Sequence, residues 1–189
     1  MSHSTLGSPP RFASRIAGLS GSVARDILSR TRDLEIVSFA GGLPDPGLWQ
    51  DLELPAAPAS AYQYGPSEGE QRLRETLAAQ ARRLGVDAAP ERLVITSGSQ
   101  QGLDLAAKLF IEPGTPVLAE APTYLAALQV FQLFQADVKP LELGRSGVDP
   151  EKLDTELKET GSPLVYLNPT YQNPSGTCYS EESRRQVAE

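Results

Sequence analysis

Residues 92–121, RLVITSGSQQGLDLAAKLFIEPGTPVLAEA, decide the class of fold. RLVITSG predicts a short buried strand, SQQGLDLAAKLFI a helix, EPGTP the turn that closes it, and VLAEA a second strand. Immediately upstream, PSEGEQRLRETLAAQARRLG predicts another helix. There Ser67 and Glu70 stand at capping-box spacing, Leu73, Leu77, Ala81 and Leu84 form one apolar stripe, and Gly85 is a stop signal. Downstream, TYLAALQVFQLF is apolar around most of its circumference and predicts a buried helix, followed by the strand DVKPLEL. VDPEKLDTELKETG places Asp149 at an N-cap, Pro150 at the first helical position and Gly161 after the end. PLVYL is the last predicted strand, and a further helix begins at Ser180. Strands separated by helices of this length require crossover connections, so the class is α/β with a largely parallel sheet. No internal repeat or low-complexity segment interrupts the pattern.

Bulk properties narrow the partners. The 189 residues are 40% hydrophobic and 22% charged, an ordinary globular composition with a net charge of -7. That balance leaves no broad basic surface for nucleic acid or anionic lipid. No apolar run reaches the roughly 20 residues a membrane helix needs. A single cysteine, Cys178, permits no internal disulfide, which fits a reducing, cytoplasmic setting. A single histidine, His3, removes histidine-based metal sites and triads. The first thirty residues are rich in Ser and Arg and poor in acid, like an organellar transit peptide. The reading preferred over it is an N-terminal arm, disordered over residues 1–10, with a short amphipathic helix over Val23, Ile27 and Leu28 that runs on into IVSFAGGLP.

In open parallel sheets, ligands bind beyond the carboxyl ends of the strands. Polar loops stand at those places: SGSQQG after LVIT, PTY after VLAEA, and NPTYQNPSG after LVYL. SGSQQG opens a helix whose first N–H groups could hold a phosphate, although it is neither a G-x-G-x-x-G nor a Walker loop. Ordinary turn chemistry explains each loop singly. Three on one edge point to a site.

FAGGLPDP, YQYGPSEGEQRLRE, VITSGSQQGLDLAAKLF, VLAEAPTYLAALQVF and YLNPTYQNPSG occur in this order. Together they resemble the fold type I pyridoxal-phosphate aminotransferases, in the branch of 2-aminoadipate and kynurenine aminotransferases, over about residues 15–189. The resemblance implies the N-terminal part of that family's large domain, an incomplete, mostly parallel sheet with flanking helices. It divides the chain into an arm and helix (1–45), a short connection (46–65) and the first part of the cofactor domain (66–189). It also implies pyridoxal 5'-phosphate as cofactor, amino acid and 2-oxo acid substrates, and a homodimer.

Residue by residue, Ser99 and Gln100 would bind the cofactor phosphate, and Tyr124 would stack on its ring, a buried structural tyrosine being the alternative. Asn173 would bond the 3-oxygen, held still by Pro169 and Pro174. Tyr64 would reach the partner subunit's phosphate. Gly42 would let the backbone approach substrate, and Arg25 would contact the distal end of the substrate, a solvated helix-face arginine being the alternative.

The family places its Schiff-base lysine, the acid on the pyridine nitrogen and the carboxylate-binding arginine beyond the Asn-Pro-Ser-Gly loop. The four lysines here, Lys108, Lys139, Lys152 and Lys158, lie in or beside amphipathic elements and read as solvated. The connection WQDLELPAAPASAYQY is short where the family usually carries another helix, which puts the position of Tyr64 in doubt. The expectation is therefore an N-terminal fragment, inactive alone. A lyase or decarboxylase on the same scaffold would share these motifs. So would the ligand domain of an aminotransferase-like transcription regulator, but only after a winged helix for which the sequence shows no room.

Overall fold

The computed structural model describes residues 11–16, 45–49 and 55–189. Residues 1–10 of the expected arm, the helix over Val23, Ile27 and Leu28, and the segment IVSFAGGLP lie outside the described residues, as do Arg25 and Gly42, while residues 11–16 hold a 3-10 turn, Ser14–Ile16. The chain divides into two compact units, Met1–Ser22 with Ser99–Glu189, and Val23–Gly98.

In the second unit two 3-10 turns, Pro46–Trp49 and Ala59–Tyr62, are described within the short connection. Helix α1 follows, Gln71–Arg83. Its stop is as expected. Gly85 takes φ +84°, its N–H reaches Arg82 O at 3.0 Å, and Val86 N–H reaches Ala81 O at 3.0 Å, a complete Schellman pair. Its start is not. Glu70 is the N-cap and its side chain makes no capping bond, so the Ser67–Glu70 box does not form. The buried face is also displaced from the leucine stripe. Ala78 is fully buried, and Arg74 donates inward to Gly69 O (3.0 Å) and Pro90 O (2.8 Å), while Leu73, Leu77 and Leu84 are exposed.

The strand expected in RLVITSG is likewise absent. Residues 93–96 belong to no ladder; Leu93 N–H reaches Pro90 O at 3.2 Å and Ile95 N–H reaches Glu68 O at 2.9 Å, and Val94 is exposed. A strand exists by pairing, and these residues have no neighbouring strand among the described residues.

The first unit carries the sheet: β1 Pro116–Ala121, β2 Asp137–Gly144, β3 Gly147–Val148 and β4 Leu164–Tyr166, in the order β3-β2-β1-β4. β1 runs parallel to both β2 and β4. β3 returns antiparallel to β2 through a hairpin that the sequence pattern did not announce. Two residues are too few to show alternation. Around the sheet lie α2 Ser99–Phe110, α3 Leu125–Leu133, α4 Pro150–Thr160 and α5 Glu181–Ala188.

β1 is the central strand, and Val117 to Glu120 are all buried. One face packs Val117 with Ala107 and Ile111 at α2, and with Ala127, Val130 and Phe131 of α3. The other packs Leu118 with Leu141, Val148, Leu153 and Tyr179. Burial on both faces explains the unbroken apolar run VLA. Pro140, in β2, lies where β3 does not reach, so the missing N–H costs no bond on that outer edge. Asp149 accepts from Glu151 N–H at 3.0 Å and Gly161 closes α4 at φ 62°, both as expected.

Candidate functional site

The carboxyl ends of β1 and β4 lie on one edge because the two strands are parallel and in register from Val117↔Leu164 to Ala119↔Tyr166. α2 enters β1 through the turn at residues 111–115, where Gly114 N–H reaches Gln135 O at 2.8 Å and Thr115 N–H reaches Glu112 O at 2.9 Å. That reversal returns the first turn of α2 to the same edge. Gln100 Nε2 accordingly donates to Ala126 O, in the first turn of α3, at 3.4 Å.

Ser99 and Gln100 are exposed in the first turn of α2. The opening N–H groups of a helix have no carbonyl four residues back, and the helix dipole is positive there. A Cβ built on Gly102 meets nothing within 4 Å, so the space beside this turn is open. Tyr124 is half-buried at the N-cap of α3 and packs on the α2–α3 core. Thr123 is buried, and its Oγ1 has no hydrogen-bond partner among the described residues. Asn173 is exposed at the tip of the loop after β4. Tyr64, in the second unit, is almost wholly exposed.

The loop of residues 167–180 is anchored from below by a residue the sequence reading missed. Glu120, in β1, is 2% exposed. Its Oε1 accepts from Asn168 N–H (3.1 Å) and Tyr179 Oη–H (2.6 Å), and its Oε2 accepts from Gln172 Nε2 (3.0 Å). Gln172 is also buried; its Nε2 donates to Pro122 O at 2.7 Å, tying the two loops together. Burial, then the bond to Glu120 and its charge, push the Tyr179 phenol far above its ordinary range. Burial first, then Glu120, also raises Tyr166. A glutamate inside the run VLAEA was the available signal, since carboxylates are rarely buried without partners.

Arg184 closes the base of the loop, its Nε donating to Tyr179 O at 3.1 Å and an Nη to Thr170 Oγ1 at 3.0 Å. Each of the four lysines is paired with an acid: Lys108 with Asp104, Lys139 with Asp137, Lys152 with Glu142 and Lys158 with Asp154. Their side chains are 41–74% exposed, as expected of solvated lysines. Among the described residues no group of acids, histidines or cysteines is arranged to hold a metal, and no helix is long and apolar enough to cross a membrane.

Residues 50–189 match the family model for aminotransferase class I and II. The 2-aminoadipate transaminase of Thermus thermophilus is 37% identical over 184 residues, 93% of this chain and 45% of that protein. Among solved structures, kynurenine aminotransferase from Pyrococcus horikoshii, in complex with PMP, superposes with a TM-score of 0.77 at 34% identity, covering 93% of this chain and 47% of that one. The alpha-aminoadipate aminotransferase from Thermus thermophilus, complexed with N-(5'-phosphopyridoxyl)-L-leucine, gives 0.74 at 34% identity over 93% and 45%. HTH-type transcriptional regulators of Bacillus subtilis and Escherichia coli match at 29–30% identity over 26–36% of their length. The chain spans about half the length of the curated aminotransferases it matches.

Proposed function

Because this chain belongs to the class I and II aminotransferase family, we propose that it forms the phosphate- and ring-binding part of a pyridoxal-phosphate enzyme that moves an amino group from an amino acid to a 2-oxo acid. The observation that carries this reading is the gathering of the α2 N-terminus, Tyr124 and Asn173 on the carboxyl edge of β1 and β4. The donor set fits the cofactor. Ser99, Gln100 and the first-turn N–H groups suit a phosphate dianion, and the open space at Gly102 leaves room beside them. Tyr124 offers a ring face, and Asn173 an amide to the 3-oxygen. Bound there, the cofactor would supply an electron sink for the substrate's α-carbon.

In the complete enzyme, a homodimer, Tyr64 would serve the partner subunit's phosphate. Gly42 and Arg25 would receive substrate, with Arg25 favouring a donor whose distal group is acidic, such as 2-aminoadipate. This chain by itself would bind cofactor without turning over, because its four lysines are committed to surface ion pairs rather than aimed at the site. The regulator matches favour a second reading, a ligand domain that binds the cofactor without transamination. Turnover by the full-length protein separates the two.

Equilibrium dialysis of pyridoxal phosphate against the chain tests the site. Ser99→Asp is tolerated by a helix start but sets a carboxylate against the phosphate, and should weaken binding about tenfold or more. Borohydride reduction and peptide mapping should leave no lysine stoichiometrically modified, with no transfer from 2-aminoadipate to 2-oxoglutarate. Binding indifferent to Ser99→Asp would remove the phosphate from this turn. One fully modified lysine together with turnover would overturn the assignment of inactivity.

A further inference from the structure

Glu120 is a buried carboxylate held by neutral donors, and no lysine or arginine pairs with it among the described residues. Its donors are not scattered. All come from the loop that carries Asn173, and two of them flank that residue's surroundings directly. Gln172 hangs by Nε2 from Glu120 and Pro122 O, while its Oε1 accepts from Ser175 N–H (2.9 Å) and Ser175 Oγ–H (2.7 Å). The amide orientation is thereby forced, since a backbone N–H can only donate and a backbone carbonyl can only accept. Gln172 and Ser175 thus bracket the pair Asn173–Pro174 from both sides. On the other flank, Asn168 gives its N–H to Glu120. Its side-chain amide satisfies its surroundings with the oxygen toward Asn173 N–H (3.3 Å) and the nitrogen toward Thr170 O (3.1 Å).

We propose that Glu120 is a positioning residue: through Gln172 and Asn168 its carboxylate holds Asn173 in one orientation at the site edge. The functional consequence rests on the reading of Asn173 as a cofactor contact. The ionised carboxylate suits this role because both oxygens must accept, Oε1 from a backbone N–H and Oε2 from an amide NH2. An amide at position 120 would turn its own NH2 on one of those donors. If the NH2 faces Gln172, that residue loses position 120 or, by flipping, loses Ser175; if it faces Asn168, that N–H loses its acceptor. Either way the bracket around Asn173 opens. Tyr179 contributes to the same carboxylate but does not connect to Asn173 through this relay.

The sequence contains two asparagines, Asn168 and Asn173, so selective labelling with 15N-asparagine reports this loop alone. The measurement is amide exchange at Asn173 relative to the β1 amides, the latter from a uniformly labelled sample. Glu120→Gln should raise this ratio about tenfold or more, the scale of losing a hydrogen bond to a charged group. Tyr179→Phe should leave it unchanged. Uniform acceleration of both regions would make Glu120 a stability residue only, and an equal rise in Tyr179→Phe would make the loosening generic. Either result overturns the proposal.

If Glu120→Gln does not fold, Ser175→Ala decides. Its side chain is exposed, it removes one donor from Gln172 Oε1, and it should raise the ratio in the same direction. No change there overturns the proposal. Adding pyridoxal phosphate to the wild-type chain tests the underlying reading separately. An unmoved Asn173 side-chain signal, with the exchange ratio still raised by Glu120→Gln, removes the cofactor from this edge and leaves the positioning role intact.

Discussion

Tyr179 makes two kinds of contact with different parts of its side chain. Its ring lies so close to the hairpin that a Cβ on Gly147 would fall 2.5 Å from it, and its hydroxyl donates to Glu120 at 2.6 Å. Tyr179→Phe keeps the first contact and removes the second. A buried hydrogen bond to a charged group contributes about 1.5–3 kcal/mol, so the variant should lose stability by that order in urea denaturation. The pH dependence has a definite sign. The folded-state pKa of Tyr179 is raised, so the native state keeps a proton that the unfolded chain releases first. The resulting stability is fully present below the ordinary tyrosine value near 10 and is lost as pH rises above it. Wild type should therefore lose stability more steeply than Tyr179→Phe in that alkaline range. Tyr166, shifted the same way, remains in both proteins and cancels in the comparison.

Among the elements, α4 is the one in which local signals and tertiary context agree most completely. Asp149 caps it, Pro150 opens it, Gly161 ends it in the left-handed region, and Leu153 buries its inward face. Asp149→Ala should cost about 1 kcal/mol, measured by thermal or urea unfolding, while Asp149→Asn should cost little, since an amide oxygen can still accept from Glu151 N–H. α1 shows the opposite balance. Its leucine stripe is correctly spaced, yet Leu73 and Leu77 are exposed and Arg74 turns inward to satisfy Gly69 and Pro90 carbonyls. Periodicity marks which face could be buried. Which face is buried depends on the neighbouring surface.

At the level of the whole molecule, apolar surface remains uncovered. Leu109 is 77% exposed and Leu125 57%. Among the described residues β4 ends the sheet with only β1 beside it. Unpaired strand edges and exposed leucines favour association. Light scattering of the purified chain should rise with concentration, and Leu109→Lys should reduce that rise while changing unfolding stability by no more than about 0.5 kcal/mol. A concentration-independent monomer would show that these surfaces are not adhesive.

Sequence alone determined the elements whose signals are local. These include α2 and α3, the capped and terminated α4, the Ser180 start of α5, and the three strands that pair in parallel. It also picked out the loops after β1 and β4, because Pro, Asn and Gly clusters mark the ends of apolar runs wherever they occur. The tertiary structure decided what depends on distant partners. Residues 93–96 are no strand because no neighbour among the described residues pairs with them, the Ser67–Glu70 box does not form at α1, and the β2–β3 hairpin is too short to show a period. It decided Glu120 as well. Forty-eight residues separate that carboxylate from Asn168, and fifty-nine from Tyr179. A buried charge is tolerable only where the fold brings such donors together, and no pattern confined to one segment can announce that meeting.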